Sequence, residues 1–250
     1  MIEKKKIIRV NNLRPQEIED YISQEEIFEI MLNGKLITRQ SVSPEDLEAW
    51  AIGYLWSSGL LKRGSKFSVQ REGGRINIVA DFSDAGGGYF FGTSGCGAAS
   101  ENLCFEGLRD LKEVNVLYHI SKILDLFKKF NSRSSNFKLS GSLHSAALCQ
   151  RYEVSYFSED IGRHNAVDKV IGKAMLNDAE FSSFILLTTG RISVDIVKKA
   201  IVVGIPVIVS HSGPTTFAVN LAESYGVTLI GFLRGQRCNI YSWDDRILIK

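Results

Sequence analysis

Three stretches of this sequence gather residue types able to do chemistry. The first surrounds Cys96, in the run TSGCGAAS, where Gly95 and Gly97 flank the thiol and no bulky neighbour covers it. A cysteine that attacks disulfides, persulfides or electrophiles needs access and an electropositive setting that lowers its pKa from ~8.5. The glycines supply the access; a small cysteine packed under a turn is the other state open to it. Cys104 in LCF and Cys149 in AALC read as core residues, and Cys238 beside a basic loop is left open between the two.

The second stretch is EDIGRHNAVDK, which brings Glu159, Asp160, Arg163, His164, Asn165, Asp168 and Lys169 together just after the strand-like run Tyr152 to Phe157. If Asn165 begins a helix, Asp168 and Lys169 fall in its first turn, and the residues before them form a strand-to-helix loop of the kind that carries ligand contacts. A capped helix start with surface ion pairs is the alternative. His144, in GSLHSAA, is read as helix-initial and could be a ligand, an acid or base, or the partner of a carbonyl.

The third is a set of three similar loops: Thr188, Thr189, Gly190 and Arg191; Ser210, His211, Ser212, Gly213, Pro214 and Thr215; Arg234, Gly235, Gln236 and Arg237. Glycine lets backbone N–H groups approach an anion, hydroxyls add donors, and arginine binds phosphate through two parallel hydrogen bonds. The combination suggests a phosphate-bearing ligand, against the ordinary alternative that Gly, Ser and Thr only cap and turn.

These loops need a frame that brings them to one edge. Between Phe184 and Phe232 the pattern reads strand Phe184 to Leu187, helix Ser193 to Val203, strand Ile205 to Val209, helix Thr216 to Tyr225 and strand Val227 to Phe232. Helical crossovers between β-branched runs imply a parallel βαβαβ core, and such sheets bind ligands beyond the carboxyl ends of their strands. Upstream, Asn33-Gly34 predicts a type I′ hairpin and Gly73-Gly74 a second hairpin. Ser43 reads as the N-cap of a helix with Pro44 at its first position and Gly59 at its end. Ala85 to Gly97 holds six of the chain's 22 glycines and reads as a loop. Ile120, Ile123, Leu124, Phe127 and Phe130 have helical spacing, and Asn131 to Ser142 reads as a mobile connection. The expected organisation is a smaller α+β region with hairpins over 1–112, ending in the Cys96 loop, and an α/β domain over 113–250.

Composition bounds the function. Apolar residues make 44% of the 250-residue chain and charged residues 23%, as in soluble globular proteins, so a folded core is expected. Net charge is +2, too small an excess to argue for nucleic acid. The apolar run Ala200 to Val209 is interrupted by Gly204 and Pro206, and Lys4 to Lys6 precede only Ile7 and Ile8, so neither a membrane span nor a signal peptide is expected. The expected setting is the cytoplasm, with free thiols.

GCG in a glycine loop, HSAAL, EDIGRHNAVDKVIG, GRISVDIVKKA, GIPVIVSHSGPT and LAESYGVTLIGFLRGQRCNIY together resemble the FdhD/NarQ family of formate dehydrogenase accessory sulfur carriers, over roughly residues 25 to 245. The resemblance implies a cytidine-deaminase-like α/β fold for the C-terminal domain, a homodimer, and a sulfurtransferase role. Sulfur would pass from a cysteine desulfurase, as a persulfide, to the bis(molybdopterin guanine dinucleotide) molybdenum cofactor before its insertion into formate dehydrogenase. It maps the persulfide onto Cys96 and a cofactor-binding loop onto Phe232, Leu233, Arg234, Gly235, Gln236 and Arg237. Arg191, Ser210, His211, Ser212, Thr215, Arg163 and His164 complete the expected cofactor contacts. The family's commoner Cys-x-x-Cys pattern is broken here by Ala99, which leaves Cys96 to carry the sulfur in that loop; one persulfide suffices. A chaperone that binds and delivers the cofactor without sulfur chemistry is the competing reading. A zinc deaminase is not, because H-x-E and P-C-x-x-C are absent, and no zinc is expected.

Overall fold

The structure, a computed structural model, describes residues 1–62, 64–81 and 108–249. Cys96 and its glycine-rich loop lie outside the described residues, as does Cys104.

The chain opens with an antiparallel ribbon of β1 (Ile2–Asn11) and β2 (Arg14–Ser23). It has no counterpart among the sequence expectations, because both its faces mix charged and apolar residues and no core-facing period marks it. Next come β3 (Glu26–Leu32) and β4 (Lys35–Val42), α1 (Leu47–Ser57), and β5 (Phe67–Glu72) with β6 (Arg75–Ala80). These four strands form one sheet in the order β4-β3-β6-β5, with β3 parallel to β6. Both expected hairpins are present, and Asn33 and Gly34 have the positive φ, 49° and 79°, that the type I′ turn demands.

The start of α1 differs from expectation. The helix begins at Leu47 after Asp46, which is left-handed at φ 56°. Ser43 cannot cap it, because Ser43 is engaged elsewhere: its N–H donates to Asp160 Oδ2 (3.0 Å), and its Oγ accepts from the Ile161 N–H (3.2 Å).

The remainder runs β7 (Tyr118–His119), α2 (Ile120–Arg133), α3 (Ser135–Ser140), β8 (His144–Gln150), β9 (Glu153–Asp160), α4 (Arg163–Met175), β10 (Ile185–Thr188), α5 (Val194–Val203), β11 (Val207–Ser210), α6 (Thr216–Tyr225), β12 (Thr228–Arg234), β13 (Arg237–Ser242) and β14 (Ile247–Leu248). Six strands form one mixed sheet, β13-β12-β11-β10-β8-β9. The expected βαβαβ unit is its centre: β10, β11 and β12 are parallel, while β8, β9 and β13 add antiparallel neighbours.

Side chains alternate across this sheet, and each face has its own core. Leu148, Leu186 and Ile208 point to one buried cluster that also contains Trp50 and Leu55 of α1, Val167 and Ile171 of α4, and Phe28 and Ile76 of the four-stranded sheet. Cys149, Ile185, Leu187, Val207 and Val209 point to the other face, covered by Phe127 and Phe130 of α2. α1 and α4 approach so closely that a Cβ on Gly53 would overlap the Asp168 carbonyl, and one on Gly172 the Ala49 carbonyl.

Three local expectations are corrected. Asn131 to Ser142 is not an irregular connection: it contains the end of α2 and all of α3. The buried Glu159 carboxylate accepts the N–H groups of Asn136 (3.3 Å) and Phe137 (2.9 Å), and Ser134 Oγ bonds Ser145 Oγ (2.8 Å), so strand residues fix this segment from outside it. α4 begins at Arg163 rather than Asn165, which moves Asp168 and Lys169 into its second turn. His144 opens strand β8, not a helix.

Candidate functional site

The loops beyond β10 and β11 are stitched to one another before any ligand arrives. Ser210 Oγ donates to the Gly190 carbonyl (2.6 Å) and Ser212 Oγ to the Thr189 carbonyl (3.0 Å). The His211 N–H reaches the Thr188 carbonyl (3.2 Å), Ile192 donates to Gly213 (3.2 Å), and Thr215 donates back to Ile192 (3.0 Å). Thr215 also caps α6, its hydroxyl accepting from the Ala218 N–H. The hydroxyls of Ser210 and Ser212 are therefore used to build the edge, and Ser210 is fully buried.

Basic side chains converge on this edge from three elements. Arg163, at the first position of α4, lays its stem over Gly190, where a Cβ would come within 2.8 Å of the Arg163 Cβ; only glycine accepts that approach. Burial, then the nearby Arg191 charge, lowers the Arg163 pKa from the usual arginine value. Arg191, Arg234 and Arg237 are exposed, and among the described residues none of the three is in a salt bridge. His211 is pushed down by burial and then by Arg234, and His144 by burial and then by Arg163. Both imidazoles are thus neutral members of a positive edge, which suits an anion.

Phe232 to Arg237 forms a hairpin turn rather than an open loop. β12 continues through Arg234, β13 starts at Arg237, and only Gly235 and Gln236 lie between them. The register shifts between Gly231 and Arg234, and Phe232 sits in this bulge at φ 51°, unusual for a large side chain. Its ring covers Gly213, whose Cβ would come within 2.7 Å of it. The bulge thereby aims Phe232 over the β11 loop, while Leu233 is buried in the core.

EDIGRHNAVDK divides between scaffold and edge. Asp160 accepts from the Gly162 N–H (2.8 Å), Asn165 Nδ2 (3.0 Å), the Ser43 N–H (3.0 Å) and Lys169 Nζ (2.7 Å). Asp168 accepts from Ser57 Oγ (2.8 Å) and Lys199 Nζ (2.7 Å). His164 is buried against Ser193 Oγ (3.3 Å), and burial, with Arg163 next, holds its pKa at about 3. Of this group, Arg163 packs against Gly190 of the β10 loop. The buried Cys149 thiol is pushed up to about 12 by burial, which makes it a poor nucleophile at neutral pH.

A cavity of about 510 Å3 lies between α3 and the sheet edge, lined by Phe137, Leu143, His144, Thr189 and His211 among others. Phe137 is the wall that sequence reasoning missed. Its segment lacks a helical period long enough to see, and the carboxylate that caps it lies 22 residues away.

The fold and the edge together define the class: a mixed α/β protein with helices on both faces of its sheet and basic side chains along a pre-built carboxyl edge. The sequence profile of the FdhD/NarQ family matches residues 23–248, and the chain belongs to that family. A sulfur carrier protein FdhD of Listeria innocua is 33% identical over 258 residues, covering 99% of each chain. A protein FdhD of Methanocaldococcus jannaschii is 36% identical over 253 residues, covering 98% of this chain and all of that one. A crystal structure described as that of a candidate formate dehydrogenase accessory protein, from Desulfotalea psychrophila, superposes with a TM-score of 0.80 at 26% identity over 99% of each chain.

Proposed function

We propose that this protein is a sulfur carrier for formate dehydrogenase maturation. It would take sulfur from a cysteine desulfurase as a persulfide on Cys96 and pass it to the bis(molybdopterin guanine dinucleotide) molybdenum cofactor, bound as substrate. The observation that carries the reading is the full-length similarity to sulfur carrier proteins in a chain whose sheet edge gathers Arg163, Arg191 and Arg234. The Cys96 thiolate attacks the outer sulfur of the desulfurase persulfide, the S–S bond there breaks, and the desulfurase leaves as a thiolate. Delivery reverses the roles. The terminal sulfur leaves Cys96 for the substrate's metal, Cys96 departs as a thiolate, and two electrons from the metal bring the sulfur to the sulfide level. Arg191, Arg234 and Arg237 hold the substrate's phosphates. Arg163 adds its charge beside them.

The strand order β9-β8-β10-β11-β12 supports a cytidine-deaminase-like unit over 113–250, with 1–112 supplying the Cys96 loop. The active form on this reading is a cytoplasmic homodimer. Among the described residues no helix is long and apolar enough to cross a membrane.

The test is mass spectrometry of protein incubated with desulfurase and cysteine. A reductant-sensitive gain of one sulfur is expected, lost in Cys96→Ala and kept in Cys149→Ala. Equal loading of the Cys96 variant refutes the carrier role of that residue. No loading of the wild-type chain favours the chaperone that delivers cofactor without sulfur transfer.

A further inference from the structure

We propose that the cavity between the end of α6 and the end of β13 binds an organic cation, a guanidinium or alkylammonium group, against the rings of Tyr241 and Trp243 and the carboxylates of Glu223 and Asp244. Ser242, in its wall, pairs with Leu229 near the amino end of β12, so the site stands at the opposite end of the sheet from the basic edge. It is independent of the reading of that edge.

The cavity holds about 520 Å3, within the ~300–1,000 Å3 of small-molecule sites. Both aromatic walls are set before any ligand arrives. The Trp243 indole N–H donates to the Glu223 carbonyl (3.1 Å), and the Trp243 carbonyl accepts from Thr228 Oγ1 (3.0 Å). The Tyr241 hydroxyl accepts from Asn239 Nδ2 (3.2 Å), and its ring lies against Gly231, where a Cβ would come within 3.0 Å of it. Trp243 already carries one guanidinium, since Arg246, 4% exposed, lies 4.9 Å from its ring centre. Arg246 donates to the carbonyls of Gly226 and Leu111, so its charge is answered inside the fold, and it lies outside the cavity's lining.

The lining selects for positive charge. Among the described residues it contains two carboxylates, Glu223 and Asp244, and neither lysine nor arginine. Both carboxylates are exposed, and among the described residues neither is in a salt bridge. Two carboxylates on a turn are ordinarily just solvated. Beside two fixed rings they draw a cation, because an aromatic face is the negative part of its quadrupole and the carboxylates add to that field. Ile240 and Ile249 complete the walls with apolar surface, which suits the aliphatic stem of a guanidinium or an amine. A hard metal ion wants oxygen ligands on all sides, and walls made mostly of carbon do not offer them.

The experiment is NMR titration of the full chain, read at the Trp243 indole N–H, with N-acetylarginine amide and, separately, with N-acetylcitrulline amide, its neutral isostere. Trp50 and Trp56 lie in the core, 0% and 8% exposed, so the Trp243 signal stands apart from theirs and is identified by its loss in Trp243→Phe. A saturable shift is expected with the arginine amide and none with the citrulline amide. Glu223→Gln and Asp244→Asn sit at exposed positions and are expected to fold; each should weaken binding about two- to fivefold, the scale of an exposed ion pair. The same titration with the peptide Gly-Gly-Arg-Gly-Gly separates the sources of the cation: tighter binding than the amide assigns it to a protein side chain, equal or weaker binding to a small molecule. No saturable shift with the arginine amide at tens-of-millimolar concentration overturns the site, and so does an equal shift with the citrulline amide. Unchanged affinity in both carboxylate variants overturns it as well, because the lining then does not select for charge.

Discussion

Replacing Asp168 by alanine isolates what the buried half of EDIGRHNAVDK does. Asp168 and Lys199 are 1% and 3% exposed at the side chain, and their 2.7 Å ion pair joins α4 to α5. Ser57 of α1 donates to the same carboxylate oxygen and accepts from Lys199 Nζ (2.9 Å), so three helices meet at one oxygen. Without the carboxylate, the Lys199 ammonium keeps, among the described residues, the Ser57 hydroxyl and the face of the Tyr54 ring, 5.2 Å away. Leaving one buried charge uncompensated costs ~3–5 kcal/mol, a large part of the ~5–15 kcal/mol that holds a domain folded. At ~2–4 °C per kcal/mol for a chain of this length, Asp168→Ala should lower the melting temperature by about 6–20 °C. Removing both charges, as Asp168→Leu with Lys199→Met, should recover most of that loss, because neither variant side chain then needs a partner. Thermal and urea unfolding of the wild type, both single variants and the double variant close the cycle. A single variant within ~1 kcal/mol of wild type, or a double variant no better than the singles, would refute the claim that these groups form a scaffold pair.

Two further outcomes follow from the same core. His164 has a folded pKa of about 3 against an unfolded value of ~6.5, so on acidification the unfolded chain takes the proton first, and stability falls as pH drops below ~6.5 toward 3. Between pH 7 and pH 5 the wild type should lose about 2 kcal/mol more than His164→Gln in urea unfolding, and parallel losses would show that the imidazole is not buried neutral. Gly172→Ala, which places a methyl against the Ala49 carbonyl, should cost at least the ~1–3 kcal/mol of an overpacked core; an unchanged urea midpoint would mean that α1 and α4 are not in such contact.

Legibility in the sequence followed the range of the forces involved. The βαβαβ centre was readable because its strands are buried on both faces and their crossovers are short, so a local run of β-branched residues carries the information. The hairpin at Asn33-Gly34 was readable for the same reason, since the turn's backbone requirement falls on two adjacent residues. Ser43 was misread because its partner is a carboxylate 117 residues away, and no local pattern announces that. α3 was hidden likewise, its cap coming from Glu159 on β9. At the site, the three loops were visible by composition, and the structure does gather Arg191, His211 and Arg234 at one edge. What composition could not show is which polar groups are spent on the protein itself: Ser210 and Ser212 on neighbouring carbonyls, His164 on Ser193, Asp160 on four donors.

That division explains why so dense a block of charge is compatible with a buried helix start. Asp160 fixes Gly162 and Asn165 on either side of Arg163 and holds Lys169 and the Ser43 backbone behind them, so the first turn of α4 is tied at several points. An arginine on such a turn loses little freedom when an anion arrives, because its backbone is already set and its stem lies on Gly190. Arg163 and Arg191 repel one another, and Arg163 and Arg234 add to burial in lowering the pKa values of His144 and His211, so gathering these groups carries an electrostatic cost. On the proposed function, the phosphates of the substrate would offset that cost at these groups together. The scaffold of buried ion pairs is what keeps them together until they do.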